Sequence, residues 1–223
     1  VSGDVVRVAS GTYVELVDVN AKQITIEGGY DAACATITGR TTIQAVAASG
    51  SVIDVSSASV LTLRNLDLTG GSSFGAGLDV LGSSTVTLDY TDIPDNNGIS
   101  GSGIYVGAGS TVTFEGSAGQ TIGGTTPTTF ENLVIDNTSP NQPVTSTQAV
   151  DVTGDLTVQD GTFAPAAEGS GGPAWKRVPR DRLSRRVWLS RACGRARQGR
   201  CRGGRARSSA ARTRTASGCR ASA

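Results

Sequence analysis

A unit written three times between Ser51 and Gly116 limits what this 223-residue chain can fold into. Val52-Ile53-Asp54-Val55 lies over Gly77-Leu78-Asp79-Val80 and over Gly103-Ile104-Tyr105-Val106. The steps from Ile53 to Leu78 and from Leu78 to Ile104 are 25 and 26 residues. A second short run follows each unit: Leu61-Thr62-Leu63, Val86-Thr87-Leu88 and Val112-Thr113-Phe114. A fixed period of this length marks a solenoid or a propeller. Each run alternates apolar and polar residues, which is the pattern of a half-buried strand. The links, such as Leu81-Gly82-Ser83-Ser84 and Gly107-Ala108-Gly109-Ser110, read as corners, and no helical period intervenes. A single turn cannot bury its own apolar face. Equivalent strands must therefore stack in parallel, about 4.8 Å apart, to make a core. The predicted core is Ile53, Val55, Leu61, Leu63, Leu78, Val80, Val86, Leu88, Ile104, Val106, Val112 and Phe114.

Earlier and later segments carry the same unit. Val17-Asp18-Val19 and Ile24-Thr25-Ile26 are its two strands near the start. Val150-Asp151-Val152 and Leu156-Thr157-Val158 are its two strands near the end. Phe130 to Asn137 reads as one strand between them. The fold class is all-β, a parallel β-helix of about seven turns of roughly 25 residues.

Charge divides the chain. Residues 1–170 hold 18 acidic and four basic residues, Arg7, Lys22, Arg40 and Arg64, for a net −14. Residues 171–223 hold 16 basic residues and one acid, Asp181, for a net +15. We therefore expect a β-helix domain over 1–168 and an Arg-rich, low-complexity tail over 169–223, too poor in patterned apolar residues to fold. Such a tail reads as a basic arm or as the product of a reading-frame slip in GC-rich DNA; its abrupt onset favours the slip. The chain lacks Met and opens at Val1 inside a strand-like run, so it reads as a fragment. No stretch is long and apolar enough for a membrane helix. Cys34 is the sole cysteine of the acidic part, there is no His, and Cys193, Cys201 and Cys219 lack metal-ligand spacing; these features argue against zinc.

From Gly3 to Ile43 the chain runs Gly-Asp-Val-Val-Arg-Val, then Gly-Thr-Tyr-Val-Glu, an apolar run, the Gly28-Gly29 turn and Thr41-Thr42-Ile43. This order resembles the right-handed parallel β-helix superfamily, the pectin-lyase-like fold. The Gly75-Ala76-Gly77-Leu78 and Gly101-Ser102-Gly103-Ile104 starts resemble repeats of bacterial surface and autotransported β-helix proteins. The resemblance covers residues 1–116. It implies a right-handed coil and an extracellular or cell-surface location, and it fixes no activity, because this fold hosts many functions.

Stacking should align Asp18, Asp54, Asp79, Tyr105 and Asp151 in one outward column, and Thr25, Thr62, Thr87, Thr113 and Thr157 in another. Asp54 and Asp79, one strand spacing apart, would repel, which raises a pKa or recruits a cation. The loop Asp92-Ile93-Pro94-Asp95-Asn96-Asn97-Gly98 also concentrates oxygen donors. Asp54, Asp79, Asp92 and Asp95 are thus the candidate calcium ligands, set against a solvated face in the column and a plain turn in the loop. No cofactor is expected beyond this possible calcium.

Marks of the fold's enzymes are missing or misplaced. There is no Gly-His-Gly of the polygalacturonase-like hydrolases. Arg177-Val178-Pro179-Arg180-Asp181-Arg182 matches a pectate-lyase motif, but it lies in the Arg-rich tail. Gln44-Ala45-Val46 matches one pectin-methylesterase motif without its partners. The expected function is an exported bacterial scaffold with a structural, adhesive or surface-display role and no catalysis by this fragment. Its alternatives are a polysaccharide lyase or glycoside hydrolase whose catalytic turns lie elsewhere, or a carbohydrate-binding module. The expected partners are an extracellular polysaccharide or a host or cell surface, with no nucleic acid for the folded part.

Overall fold

A computed structural model describes residues 3–46, 50–73, 75–98, 103–139 and 141–166. All of them fall within one compact unit. The tail expected from residue 169 onward lies outside the described residues.

The described residues are all β, without helices. One sheet has seven strands: Asp4–Ala9, Gln23–Tyr30, Val60–Arg64, Thr85–Asp89, Thr111–Gly116, Asn132–Asn137 and Leu156–Asp160. A second has six: Val17–Asn20, Ile53–Ser56, Leu78–Val80, Ile104–Val106, Thr128–Phe130 and Val150–Val152. Within each sheet, spatial order follows chain order and every pairing is parallel. The expected registers are met: Ile53 opposes Leu78, which opposes Ile104, and Leu61 opposes Val86, which opposes Val112. Among the described residues, antiparallel contacts are two isolated bridges, Tyr30 with Ile37 and Gly50 with Ser72. This architecture of stacked parallel sheets is compatible with a parallel β-helix or solenoid.

Two readings of the sequence need correction. It shows two strands per repeat, whereas the structure adds a third row. Gly11–Val14, Thr41–Gln44 and Leu66–Thr69 form one sheet, and Gln120–Ile122, Val144–Ser146 and Phe163–Ala164 form another. Parallel bridges from Asp67 to Asp92 and from Ile93 to Ile122 connect the two. The Phe130–Asn137 run is also not one strand. It breaks at Glu131, with Phe130 ending one sheet's strand and Asn132 beginning the other's. The reason is geometric: a sharp corner between two sheets needs only one residue, so it leaves no Gly or Pro gap to read.

All twelve predicted core residues are at most 2% exposed. The third row adds Leu66, Leu68, Ile93, Ile122 and Val144, each fully buried. Phe114 and Phe130 meet edge to face, with ring centroids 6.4 Å apart, the arrangement their quadrupoles favour.

Corners need separate satisfaction, because a bend interrupts the strand-to-strand ladder. Between the six- and seven-stranded sheets this falls to buried serines. The Lys22 amide donates to Ser59 Oγ at 3.2 Å, the Ser59 amide to Ser84 Oγ at 3.1 Å, and the Ser84 amide to Ser110 Oγ at 3.2 Å. The glycines that open the central repeats have a packing cause. A Cβ on Gly77 would lie 2.4 Å from Ile93 Cγ2, and one on Gly103 would lie 2.3 Å from the Gly123 carbonyl oxygen.

Candidate functional site

The aspartate column forms as expected, with one member missed. Asp18, Asp54, Asp79 and Tyr105 are aligned in successive strands, and Thr129 sits between Tyr105 and Asp151. Asp54 is exposed and Asp79 half-buried. Burial, then the charge of Asp54, pushes the Asp79 carboxyl up to about 6, against a hydrogen bond from the Val80 amide. Asp79 Oδ1 is buried and has no hydrogen-bond partner. The threonine column forms too, with Val134 between Thr113 and Thr157.

A second pair of aspartates has the same spacing and a different solution. Asp67 and Asp92 face each other across a parallel bridge in the third row. Arg40 lies against both. Its Nη2 is 2.6 Å from Asp67 Oδ1 and 3.1 Å from Asp92 Oδ2, and its Nε donates to Asp67 Oδ2 at 3.1 Å. Nη2 also donates to the Leu66 carbonyl at 2.6 Å. This fork-to-carboxylate geometry is one that only arginine supplies. Burial alone would lower the Arg40 pKa; its bonds to Asp67 and the nearby carboxylates outweigh this and hold it above its ordinary value. Burial likewise pushes Asp92 up, opposed by the Thr121 amide, which donates to Oδ1 at 2.6 Å, and by Arg40.

These contacts bear on calcium. Both Asp92 oxygens are already engaged, by Arg40 and by Thr121. Asp95 is exposed, and Asn96 is buried, bridging the Gly71 amide and the Leu68 and Pro94 carbonyls. Among the described residues no group of three or more Cys, Asp or Glu side chains is placed to hold a metal ion. A cation at the Asp54–Asp79 step would draw on two carboxylates and solvent, whereas calcium takes six to eight oxygens.

The sequence offers no sign of what gathers around Arg40. Its guanidinium lies 4.4 Å from the ring centroid of Tyr90, a cation–π contact. Beside it, Arg64 pairs with Asp89 at 3.3 Å, an exposed pair of small energetic weight. Glu27 accepts from the Tyr30 hydroxyl at 2.5 Å, and Arg7 stands 5.2 Å over the Tyr30 ring. Glu27, Arg40, Arg64, Asn65, Asp89 and Tyr90 help line a hollow of about 450 Å³ at the corner between the seven-stranded sheet and the third row. Arg64 thus belongs to this corner and not to the aspartate column. Arg40 and Asp67 are 27 positions apart and Arg64 and Asp89 are 25, so only the register of the stack reveals these pairs.

No protein-family model, curated protein or solved structure matches this chain. Among the described residues no helix is long and apolar enough to cross a membrane.

Proposed function

We propose that the chain is part of an exported bacterial β-helix protein, a stiff right-handed coil of about seven turns of roughly 25 residues. Its role is structural and adhesive: it holds loops and side faces away from the cell for contact with polysaccharide or another surface. The observation that carries this reading is the seven-stranded parallel sheet in which each strand pairs with the strand one repeat on. Such a stack shares one continuous core between neighbours and resists bending because every interior repeat is clamped on both sides. Handedness follows from the general rule for parallel crossovers. The acidic, lysine-poor body suits a solvated surface protein.

Intact cells that make the tagged chain provide the test. Protease added outside should remove it without touching cytosolic markers. Full protection until the cells are lysed would defeat the proposal.

A further inference from the structure

Tyr90 occupies a position that the fold reserves for other residues. Each time the chain turns from the seven-stranded sheet into the third row, the backbone can pass through the left-handed region. At this corner Asn65 has φ +55°, Gly116 +107° and Gly161 +84°. Glycine and asparagine tolerate that conformation; a bulky aromatic is an outlier there. Tyr90 adopts it nonetheless, with φ +49°, and its side chain adds nothing to the core, being 46% exposed. Arg40, itself fixed by Asp67 and Asp92, supports the ring. A local rule is broken, and the offending ring is held in place on the surface.

Two hollows meet at this ring. The 450 Å³ hollow lies toward the earlier coils. A second, of about 520 Å³, lies toward the later ones and is lined by Tyr90, Asp92, Gln120, Thr121, Asn141 and Gln142 among others. Together they run along the stack past five coils, about 19 Å at one strand spacing per coil, with Tyr90 as the ridge between them. The exposed amides of Asn141 and Gln142 border the later hollow, and the carboxylates of Glu27, Asp89 and Asp92 border the two. Asn65 and Gln120 are instead buried, with their amides bound to backbone groups. Gln120 and Gln142 are held by backbone contacts: Gln120 Oε1 accepts from the Thr91 amide at 3.2 Å, and Gln142 Oε1 from the Gly119 amide at 3.1 Å.

We propose that this corner groove binds a neutral oligosaccharide chain, with one sugar ring stacked on Tyr90. A pyranose presents an apolar face of C–H groups to an aromatic ring and a rim of hydroxyls to amides and carboxylates, and this groove offers both. Its charge sets the class. Glu27, Asp67, Asp89 and Asp92 outnumber Arg40 and Arg64, and both arginines are paired with carboxylates. The surplus negative charge disfavours uronates and sulfated sugars. The site does not depend on surface display: binding can fail while export stands, and the reverse.

Native affinity electrophoresis of the full chain tests this, in gels containing hydroxyethylcellulose, glucomannan, galactomannan or xylan. We expect retardation by at least one of these. Tyr90→Asn puts at this corner the residue type found one coil earlier at Asn65, so the fold should persist by circular dichroism while affinity falls about tenfold or more. Tyr90→Phe keeps the ring face and should keep most of the binding. The proposal is overturned by no retardation in any neutral gel, or by retardation equal in wild type and Tyr90→Asn. It is equally overturned if Tyr90-dependent retardation occurs only with polygalacturonate, or if only a peptide ligand shows dependence on Tyr90.

Discussion

Ser84 has little apolar surface to bury, yet it is fully enclosed. Its hydroxyl accepts from the Ser59 amide and donates to the Leu81 carbonyl at 2.6 Å. Removing that oxygen strands a buried N–H, which costs about 1–3 kcal/mol. Ser84→Ala should therefore lower the unfolding free energy by that amount, read as a lower urea midpoint at unchanged slope, whereas Ser83→Ala, one residue earlier and exposed, should change little. Asp79 gives a pH test. Its folded carboxyl titrates near 6 against an ordinary 3.8, so the folded state holds its proton more tightly than the unfolded one. The penalty is absent below pH 3.8, grows between the two values and is complete above 6. A shift of about two units would amount to about 3 kcal/mol at most, and screening at the exposed edge reduces it to about 1 kcal/mol. Asp79→Asn should thus stabilise the protein by about 1 kcal/mol at pH 7 and leave it unchanged at pH 3.5. Equal effects at both pH values would mean that the carboxyl is not strained. The aspartate column could be read from the sequence because Asp54 and Asp79 stand at the same place in an obvious repeat. Arg40 and Tyr90 could not, since neither recurs at its place in the other repeats and nothing local marks them.

Among the elements, the Gly-x-Gly openings were legible as a signature but not as a mechanism. The structure supplies the cause: the chain at Gly77 passes so close to Ile93 and to Asn96 Nδ2, each 2.4 Å from a built Cβ, that a methyl group has no room. Gly77→Ala should cost about 1–3 kcal/mol through overpacking. Gly39→Ala is the control, because its Cβ would meet nothing nearer than the Ser10 Cβ at 3.3 Å. Denaturant curves of the two variants settle this, and similar losses would show that the close approach at Gly77 is not the cause. The strands of the two larger sheets were foreseen because their alternation is clean. Leu66–Thr69 escaped because it follows Val60–Arg64 after the single residue Asn65. Its alternation shifts phase by a single residue at Asn65, where the left-handed φ turns the corner, and no Gly or Pro gap marks the break. That residue also ties the corner together, its Nδ2 donating to the Gly28 and Gly39 carbonyls at 3.0 and 2.7 Å.

At the scale of the whole stack, stability should be graded along the axis. A coil inside the stack is supported on both sides, and a terminal coil on one. The strand Asp4–Ala9 pairs on one side only and leaves Val5 and Val6 55% and 44% exposed. Val6, Val8, Val17, Val19, Ile24 and Ile26 border a cleft of about 650 Å³ beneath it. Amide hydrogen exchange should be fastest in Asp4–Ala9 and slowest in Val60–Arg64 and Thr85–Asp89, where neighbours flank both edges. Uniform protection from one end to the other would mean that the coils open together. The register that sets this gradient also bears on inheritance. Because Ile53 and Leu78 occupy equivalent places 25 residues apart, cutting the chain before each and rejoining it joins strand to strand in phase. The shortened protein would differ by one coil and still match at the seam. A gene encoding such a chain can therefore lose or duplicate whole coils by recombination between its own repeats, so reach can vary among lineages while the fold does not.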